Sequence, residues 1–316
     1  MLRAQVRRSV NELLGHHDQV GIYGGPRGDA GLCGGPESVS WQINGDLAAV
    51  ATAGVAAIVL EVLHPSVVAG VQDHSSYQRE PFRRARNTLG YVLATTFGSS
   101  AAATELIDGV RRRHATVVGR RPDGTAYQAM DPDLLAWVHT CIPWMVMSAF
   151  ERFNRPLSPS ERDRYLAEQA VIGRMSGAHS APESVAELDE LVAAVRPTLA
   201  ATEQTREFIT FLLQAPFLPR RLGAVDAAAH QFFVRAGMGL APRWAQELAG
   251  LTMPEVMRHW AAEPYLSSVA RLIRWAFGEP PYVALARRRA LGIADPEDAQ
   301  DRAVVRGNLR HVTEST

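Results

Sequence analysis

Hydrophobic residues recur at helical spacing along nearly the whole chain. Between residues 81 and 97, for example, Leu89, Val92 and Leu93 share one side of a predicted helix. Comparable runs occupy about residues 47–64, 132–150, 202–214, 224–240, 243–250, 254–261 and 264–277. A strand is indicated only at "TAYQA", residues 125–129, beside the turn-forming Pro-Asp-Gly of 122–124. The pattern predicts an all-α protein with a single large helical domain.

Capping signals predict where several of these helices begin. Asp46 and Asp131 precede two of the most apolar runs, and their carboxylates can accept hydrogen bonds from the first free backbone amides. The segments "SPSE" at 158–161 and "SAPE" at 180–183 both fit the capping box. The helix that follows Asp131 is apolar on nearly every side, so we expect it to be central in the fold.

Three segments divide the chain. Residues 1–20 predict an amphipathic helix, 21–285 form the main domain, and 286–316 have the charge density of a C-terminal tail. The hydrophobic positions of the first segment follow a helical spacing: Leu2, Val6, Val10 and Leu13. The first segment has no continuous apolar region, so it does not predict a signal peptide.

The apolar runs do not predict a membrane span. The longest uncharged one, Leu47 to Leu60, is about four residues too short to cross a bilayer comfortably. Cys33 in a glycine-rich loop and Cys141 in an apolar helix are far apart, and we expect both to be reduced thiols. Together these features predict a cytoplasmic protein.

Composition excludes several classes of function. The formal net charge is zero, so no global field favours nucleic acid. All 33 basic residues are arginine, and the absence of lysine excludes Schiff-base chemistry, pyridoxal phosphate attachment and a P-loop lysine.

The stretch "GVRRRHATVVG", residues 109–119, places a histidine beside three arginines. When the stretch is treated as one helix, His114 shares a side with Val110, Val117 and Val118. This spacing predicts that its ring lies in the apolar stripe, with Arg111 nearby.

His139 repeats this pattern within the central helix. Leu135 and Ile142 lie at i−4 and i+3 from it. Such a histidine is either a hydrogen-bonded core residue or a metal ligand. Haem b needs an apolar pocket, one imidazole and cations for its propionates, and His114, His139 and Arg111 could meet those needs as cofactor-binding residues.

Two other sets of residues each have two alternative roles. Glu61 and His64 form an E-x-x-H, which suits a ligand pair of a di-iron carboxylate site or a histidine that only ends a helix before proline. The helix that begins at Pro81 carries a polar row that is either solvated or lines a pocket. Its members are Arg84, Thr88, Tyr91 and Thr95.

Four blocks in order resemble the catalytic domain of the MpaB/rubber oxygenase (latex-clearing protein) family. They are "DAGLCGGPESVSWQINGD", "LHPSVVAGVQDHSSYQREPFRRARNTLGYV", "RRRHATVVGRRPDGTAYQAMDPDLLAWVH" and "LSPSERDRYLAEQ", and they span about residues 28–170. The resemblance implies an all-α domain with a globin-like core that binds haem b.

The resemblance also implies residue roles. The histidine of the family's H-x-x-V-x-G block is the proximal iron ligand, which corresponds to His114. The family's R-x-x-x-T lines the distal side and corresponds to Arg84 and Thr88, while its W-V-H block includes His139. Rubber oxygenases have a lysine just before the threonine, where this chain has Asn87.

These features lead us to expect a haem b-dependent oxygenase or oxidase. We expect dioxygen or peroxide as its oxidant and a small hydrophobic metabolite, rather than rubber, as its substrate. A distal face made of Arg84, Asn87 and Thr88 would carry the catalytic residues. The alternatives are a non-catalytic haem sensor or carrier and a non-haem iron enzyme that uses Glu61 and His64.

Overall fold

The computed structural model describes residues 19–75, 77–215 and 224–293. At residues 19–20, 81–85 and 224–226 it defines the helical backbone alone. The predicted N-terminal amphipathic helix, apart from its last two residues, and the chain beyond residue 293 lie outside the described residues.

The described chain is almost entirely helical, which confirms the predicted all-α class. The helices are α1 (Gln19–Tyr23), α2 (Val39–Gly45), α3 (Leu47–Val62), α4 (Pro65–His74), α5 (Pro81–Phe97), α6 (Ser100–His114), α7 (Pro132–Phe153), α8 (Pro159–Ser176), α9 (Val185–Val195), α10 (Glu203–Gln214), α11 (Ala224–Met238), α12 (Arg243–Leu248), α13 (Glu255–Met257), α14 (Glu263–Phe277) and α15 (Pro281–Ala290). A short turn of helix, Arg196–Thr198, follows α9, and a wide helical turn, Arg258–Ala262, joins α13 to α14.

Two apolar helices, α3 and α7, pack against each other at the centre of the fold. Asp46 and Asp131 cap them as predicted, with their carboxylates accepting hydrogen bonds from Ala48 N and from Asp133 N. The indole of Trp137 on α7 donates to Leu60 O of α3 at 3.2 Å. The predicted central position of α7 is therefore confirmed.

By length and composition α7 could cross a membrane, and the bent pair α2–α3 passes the same test. About half of the most apolar window of α7, 56%, is buried inside the protein. The core helix of a soluble protein has these properties too, so this is weak evidence for a membrane span.

One predicted strand is confirmed, and its partner was missed. Val118–Arg120 (β1) pairs antiparallel with Ala126–Gln128 (β2), and Gly119 lies opposite Tyr127. The prediction that Val117 and Val118 continue the helix of His114 is wrong, because α6 ends at His114 and Val118 opens the hairpin.

Two helix boundaries also differ from the predicted ones. The capping box at 158–161 is present, but the "SAPE" segment caps no helix, because α9 begins at Val185 and Ser184 accepts from Glu187 N. The predicted tail boundary at 285/286 falls inside α15, which continues to Ala290. Arg289 on this helix is buried and donates to the carbonyls of Tyr23 and Phe97.

Candidate functional site

Four helices, α5, α6, α7 and α8, pack together around the two predicted histidines. His114 is the last residue of α6 and is half-buried. The helix ends there because Val117 turns into the hairpin, while both the hydroxyl and the backbone N–H of Thr116 donate to the carbonyl of Arg113. His114 therefore lies at a helix end instead of within a buried stripe.

His139 lies two turns into α7 and faces the same region as His114. The residue is half-buried, and protein surrounds its ring. Burial of the ring, and to a lesser extent the nearby His114, lowers the pKa of His139 to about 4. His139 is therefore a neutral imidazole at physiological pH, with a ring nitrogen able to accept a hydrogen bond or bind a metal.

Tyr91 of α5 completes this cluster. Its ring centroid lies 6.3 Å from that of His139, and its hydroxyl lies 2.9 Å from the hydroxyl oxygen of Ser176 on α8. Ser176 donates its own proton to Ile172 O, so Tyr91 is the donor in this pair. The hydrogen bond connects α5 to α8 beside His139.

A close approach of helices also fixes the position of His139. A Cβ atom at Gly173 of α8 would lie 3.8 Å from the Cβ of His139 and only 2.9 Å from that of Ala181. Glycine at this position therefore lets α8 approach both α7 and the turn that follows α8. Sequence reasoning missed Gly173 and Ser176, because no motif marks a residue that matters through packing between distant helices.

The polar row on α5 runs from solvent into the interior. Thr88 and its neighbour Asn87 are exposed, Tyr91 is half-buried, and Thr95 is buried with its hydroxyl donating to Tyr91 O at 2.8 Å. Arg84 lies one turn before Thr88 along the backbone of the same helix. The row thus supplies an exposed end, where Asn87 and Thr88 are accessible to a ligand, and a buried end beside His139.

Both α5 and α6 carry arginines. Arg111, Arg112 and Arg113 form the last turn of α6 with His114 and are exposed, with Arg111 3.8 Å from Asp108. Nε of Arg86 on α5 is buried and has no hydrogen-bond partner. A buried guanidinium N–H without a partner is costly unless an acceptor reaches it, so an anionic group would be stabilised there.

Of the two roles left open for Glu61 and His64, the structure supports a histidine that lies at a helix terminus before proline. Helix α3 ends at Val62, and His64 instead caps α4, its Nδ1 accepting from Ser66 N at 3.2 Å. Burial and the nearby Arg121 lower the pKa of His64 to about 4, which keeps that nitrogen an acceptor. Among the residues that the structure describes, no group of three or more His, Cys, Asp or Glu side chains is placed to hold a metal ion.

A cleft of about 270 Å³ lies elsewhere, between α2, α3 and α14. Its charged groups already pair with each other, since Arg274 donates to both carboxylate oxygens of Asp46 and Asn154 donates to one of them. These contacts hold α14 against the N-terminus of α3. The candidate functional site is the histidine cluster, where His114 and His139 lie near each other and Tyr91 packs beside His139.

The fold and the site define a helical protein whose candidate centre contains two imidazoles from neighbouring helices. The sequence family described as the ER-bound oxygenase mpaB/B′/rubber oxygenase catalytic domain matches residues 41–275. The match covers most of the chain and all of the histidine cluster, so the chain belongs to this family of oxygenase catalytic domains.

Two relatives are more distant. The chain is 26% identical over 194 residues to an uncharacterized protein of Mycobacterium bovis and to one of Mycobacterium tuberculosis. In each case the alignment covers 59% of this chain and 75% of the relative. No solved structure matches the chain. Family membership supports an oxidoreductase of the oxygenase class.

Proposed function

We propose that this protein is a haem b-dependent oxygenase or oxidase that acts on a small hydrophobic metabolite with dioxygen or peroxide. The observation that carries the proposal is the pair His114 and His139, brought together from α6 and α7 in a member of an oxygenase family. Both histidines are half-buried; His114 ends a helix, and His139 lies within one and has a neutral ring.

The residues around this pair fit a haem b group. His114, half-buried at the end of α6, would be the imidazole ligand of the iron, as the family resemblance implies. Partly buried apolar side chains on the neighbouring helices α5 and α7, among them Leu89, Val138 and Ile142, suit a macrocycle that prefers an apolar wall. The partnerless Nε of Arg86 and the exposed Arg111 supply cations for two propionates.

His139 would support the ligand instead of replacing it. A neutral imidazole next to a metal ligand can accept or donate one hydrogen bond, which fixes the orientation of its neighbour. Packing against Tyr91 of α5 and Gly173 of α8 holds the ring of His139 in place.

Bound haem b would supply an iron centre that activates dioxygen or peroxide. The exposed end of the α5 row would face the reacting side, where the Thr88 hydroxyl can donate a hydrogen bond and the Asn87 amide can donate or accept one. Arg84, one helical turn before Thr88, carries a permanent positive charge. Since Asn87 carries no titratable proton, this face is less cationic than one with a lysine there.

Titration of the haem-free protein with haem tests the proposal. His114→Ala should weaken haem affinity by more than the roughly hundredfold that losing an outer-shell partner costs, while the helical circular dichroism stays unchanged. His139→Ala should keep the spectroscopic signature of the iron–nitrogen bond but lower the affinity for haem by about tenfold.

His179 provides a matched control, because it is exposed in the turn after α8. His179→Ala should bind haem like the wild type. If His139→Ala abolished the iron–nitrogen signature and His114→Ala retained it, the proposed ligand would be wrong.

A further inference from the structure

The β-hairpin lies between the two candidate histidines along the chain. It follows α6, which ends at His114, and it leads into α7, which carries His139. Residues 115–130 are all described, and among them Tyr127 alone is buried, with 6% of its surface exposed. A two-stranded hairpin is only marginally stable by itself, so its position depends on how Tyr127 docks it against the rest of the protein.

Tyr127 docks the hairpin on the last turn of α4. Its hydroxyl donates to Oδ2 of Asp73 at 2.5 Å, and the carboxylate acceptor makes this a charge-assisted hydrogen bond. The next residue of α4, His74, adds a second contact, because its Nε2 lies 3.1 Å from Val118 O. Both strands of the hairpin are therefore attached to the same end of α4.

Two glycines leave room for the ring of Tyr127. A Cβ atom at Gly119, which lies opposite Tyr127 in the hairpin, would be 2.5 Å from the tyrosine hydroxyl oxygen and 2.7 Å from Cζ. A Cβ atom at Gly70 of α4 would lie 3.4 Å from another carbon of the ring. The ring thus passes across Gly119 to reach Asp73, and a side chain at position 119 would displace it.

Backbone hydrogen bonds connect the docked hairpin to His114. Val117 N donates to His114 O at 3.0 Å, and Val117 O accepts from Ala129 N at 2.9 Å. The residue that closes the turn after His114 is therefore also bonded to the far side of the hairpin. Because these bonds join the hairpin to the end of α6, a shift of the hairpin on α4 would move His114 as well.

We propose that the hydrogen bond between Tyr127 and Asp73 positions His114. Both are positioning residues, since they act on His114 through the backbone of the hairpin. The inference rests on the proposed function, in which the ring of His114 is the iron ligand. Residues that fix the orientation of a metal ligand before the metal binds raise the affinity of the site, because less ordering remains to be done on binding.

Tyr127→Phe tests the proposal, because it keeps the ring and removes only the hydroxyl. In the haem-free full chain, the ring-proton resonances of His114, assigned by their absence from His114→Ala, should shift in Tyr127→Phe. Asp73→Ala should shift them in the same direction, and the double variant no further, since both changes remove one hydrogen bond. Asp73→Asn keeps an oxygen acceptor and should restore most of the wild-type position.

Haem-loaded protein provides a second measurement. Tyr127→Phe should release haem about tenfold faster than the wild type and shift the iron–histidine stretching frequency, at unchanged helical circular dichroism. Tyr265→Phe is the matched control, because Tyr265 lies on α14 and packs on Phe232 of α11, away from the hairpin. It should leave the His114 resonances and haem release unchanged.

Unchanged His114 resonances in both Tyr127→Phe and Asp73→Ala would overturn the proposal, whether or not the protein binds haem. A lower free energy of unfolding with unmoved resonances would overturn it too, since Tyr127 would then serve stability alone. Resonances that moved as expected in a wild type and variants that bind no haem would support the positioning of His114 and contradict the proposed function.

Discussion

His139 shows how a single residue acquires its chemistry from position. An isolated histidine titrates near neutrality, but burial in α7 beside His114 lowers the pKa of this one to about 4. The spacing of Leu135 and Ile142 predicted the burial correctly. It could not predict the neighbour, because the proximity of His114 depends on how α6 and α7 pack.

The prediction at the scale of single residues concerns Asn87 and its neighbour Thr88. In haem-loaded protein, Asn87→Lys should lower the affinity for added imidazole by about tenfold, because a primary amine at this position would compete for the open side of the cofactor. Asn87→Gln, which keeps the amide, should bind imidazole like the wild type. Thr88→Ala should weaken cyanide binding, since it removes a hydroxyl donor.

Optical titration with imidazole and cyanide provides the measurement. Unchanged affinities for both ligands in all three variants would place Asn87 and Thr88 outside the pocket. The family resemblance would then not extend to α5.

At the scale of elements, helix ends determine what surrounds the site. His64 begins α4 with Nδ1 accepting from Ser66 N, a bond that only the neutral ring can make. The pKa of about 4 lies below the ordinary value of 6.5, so the unfolded chain takes up this proton first as the pH falls. The contribution of His64 to the free energy of unfolding is therefore complete above about pH 6.5 and is lost towards pH 4.

His64→Asn tests this linkage, because asparagine is also a good N-cap but does not titrate. Near neutral pH the variant should match the wild type within about 1 kcal/mol. As the pH falls from 6.5 towards 4, the wild type should lose stability relative to the variant. Urea unfolding at a series of pH values measures the difference, and parallel pH profiles for the two proteins would contradict the argument.

Sequence patterns predicted most elements, because capping and periodicity are local. The carboxylates of Asp46 and Asp131 cap α3 and α7 as expected. The patterns failed where a neighbouring element decided the outcome. Val118 continues the helical spacing from His114, yet pairing with Gln128 in the hairpin determines its conformation. Ser180 fits a capping signal, but the helix begins after Ser184 instead.

At the scale of the whole molecule, contacts between distant parts of the chain could not be predicted from the sequence. Arg289 looked like part of a charged tail, yet it is buried and bonds to the carbonyls of Tyr23 and Phe97. Arg274 similarly links α14 to Asp46, 228 residues earlier. Charge alone does not distinguish a solvated arginine from one that holds two segments together.

The histidine cluster is also a property of the whole fold, since it needs α5, α6, α7 and α8 together. The sequence identified His114 and His139 as candidates, and family resemblance suggested the cofactor. Their proximity, and the packing of His139 against Tyr91, which is hydrogen-bonded to Ser176, required the structure.

The visible absorption spectrum of full-length protein purified from haem-supplied cells tests the central claim most directly. The account predicts a Soret band and a b-type pyridine haemochrome at about one haem per chain in the wild type, and their loss in His114→Ala at unchanged helicity. A folded wild-type protein that stayed colourless under these conditions, or an undiminished haem content in His114→Ala, would contradict it.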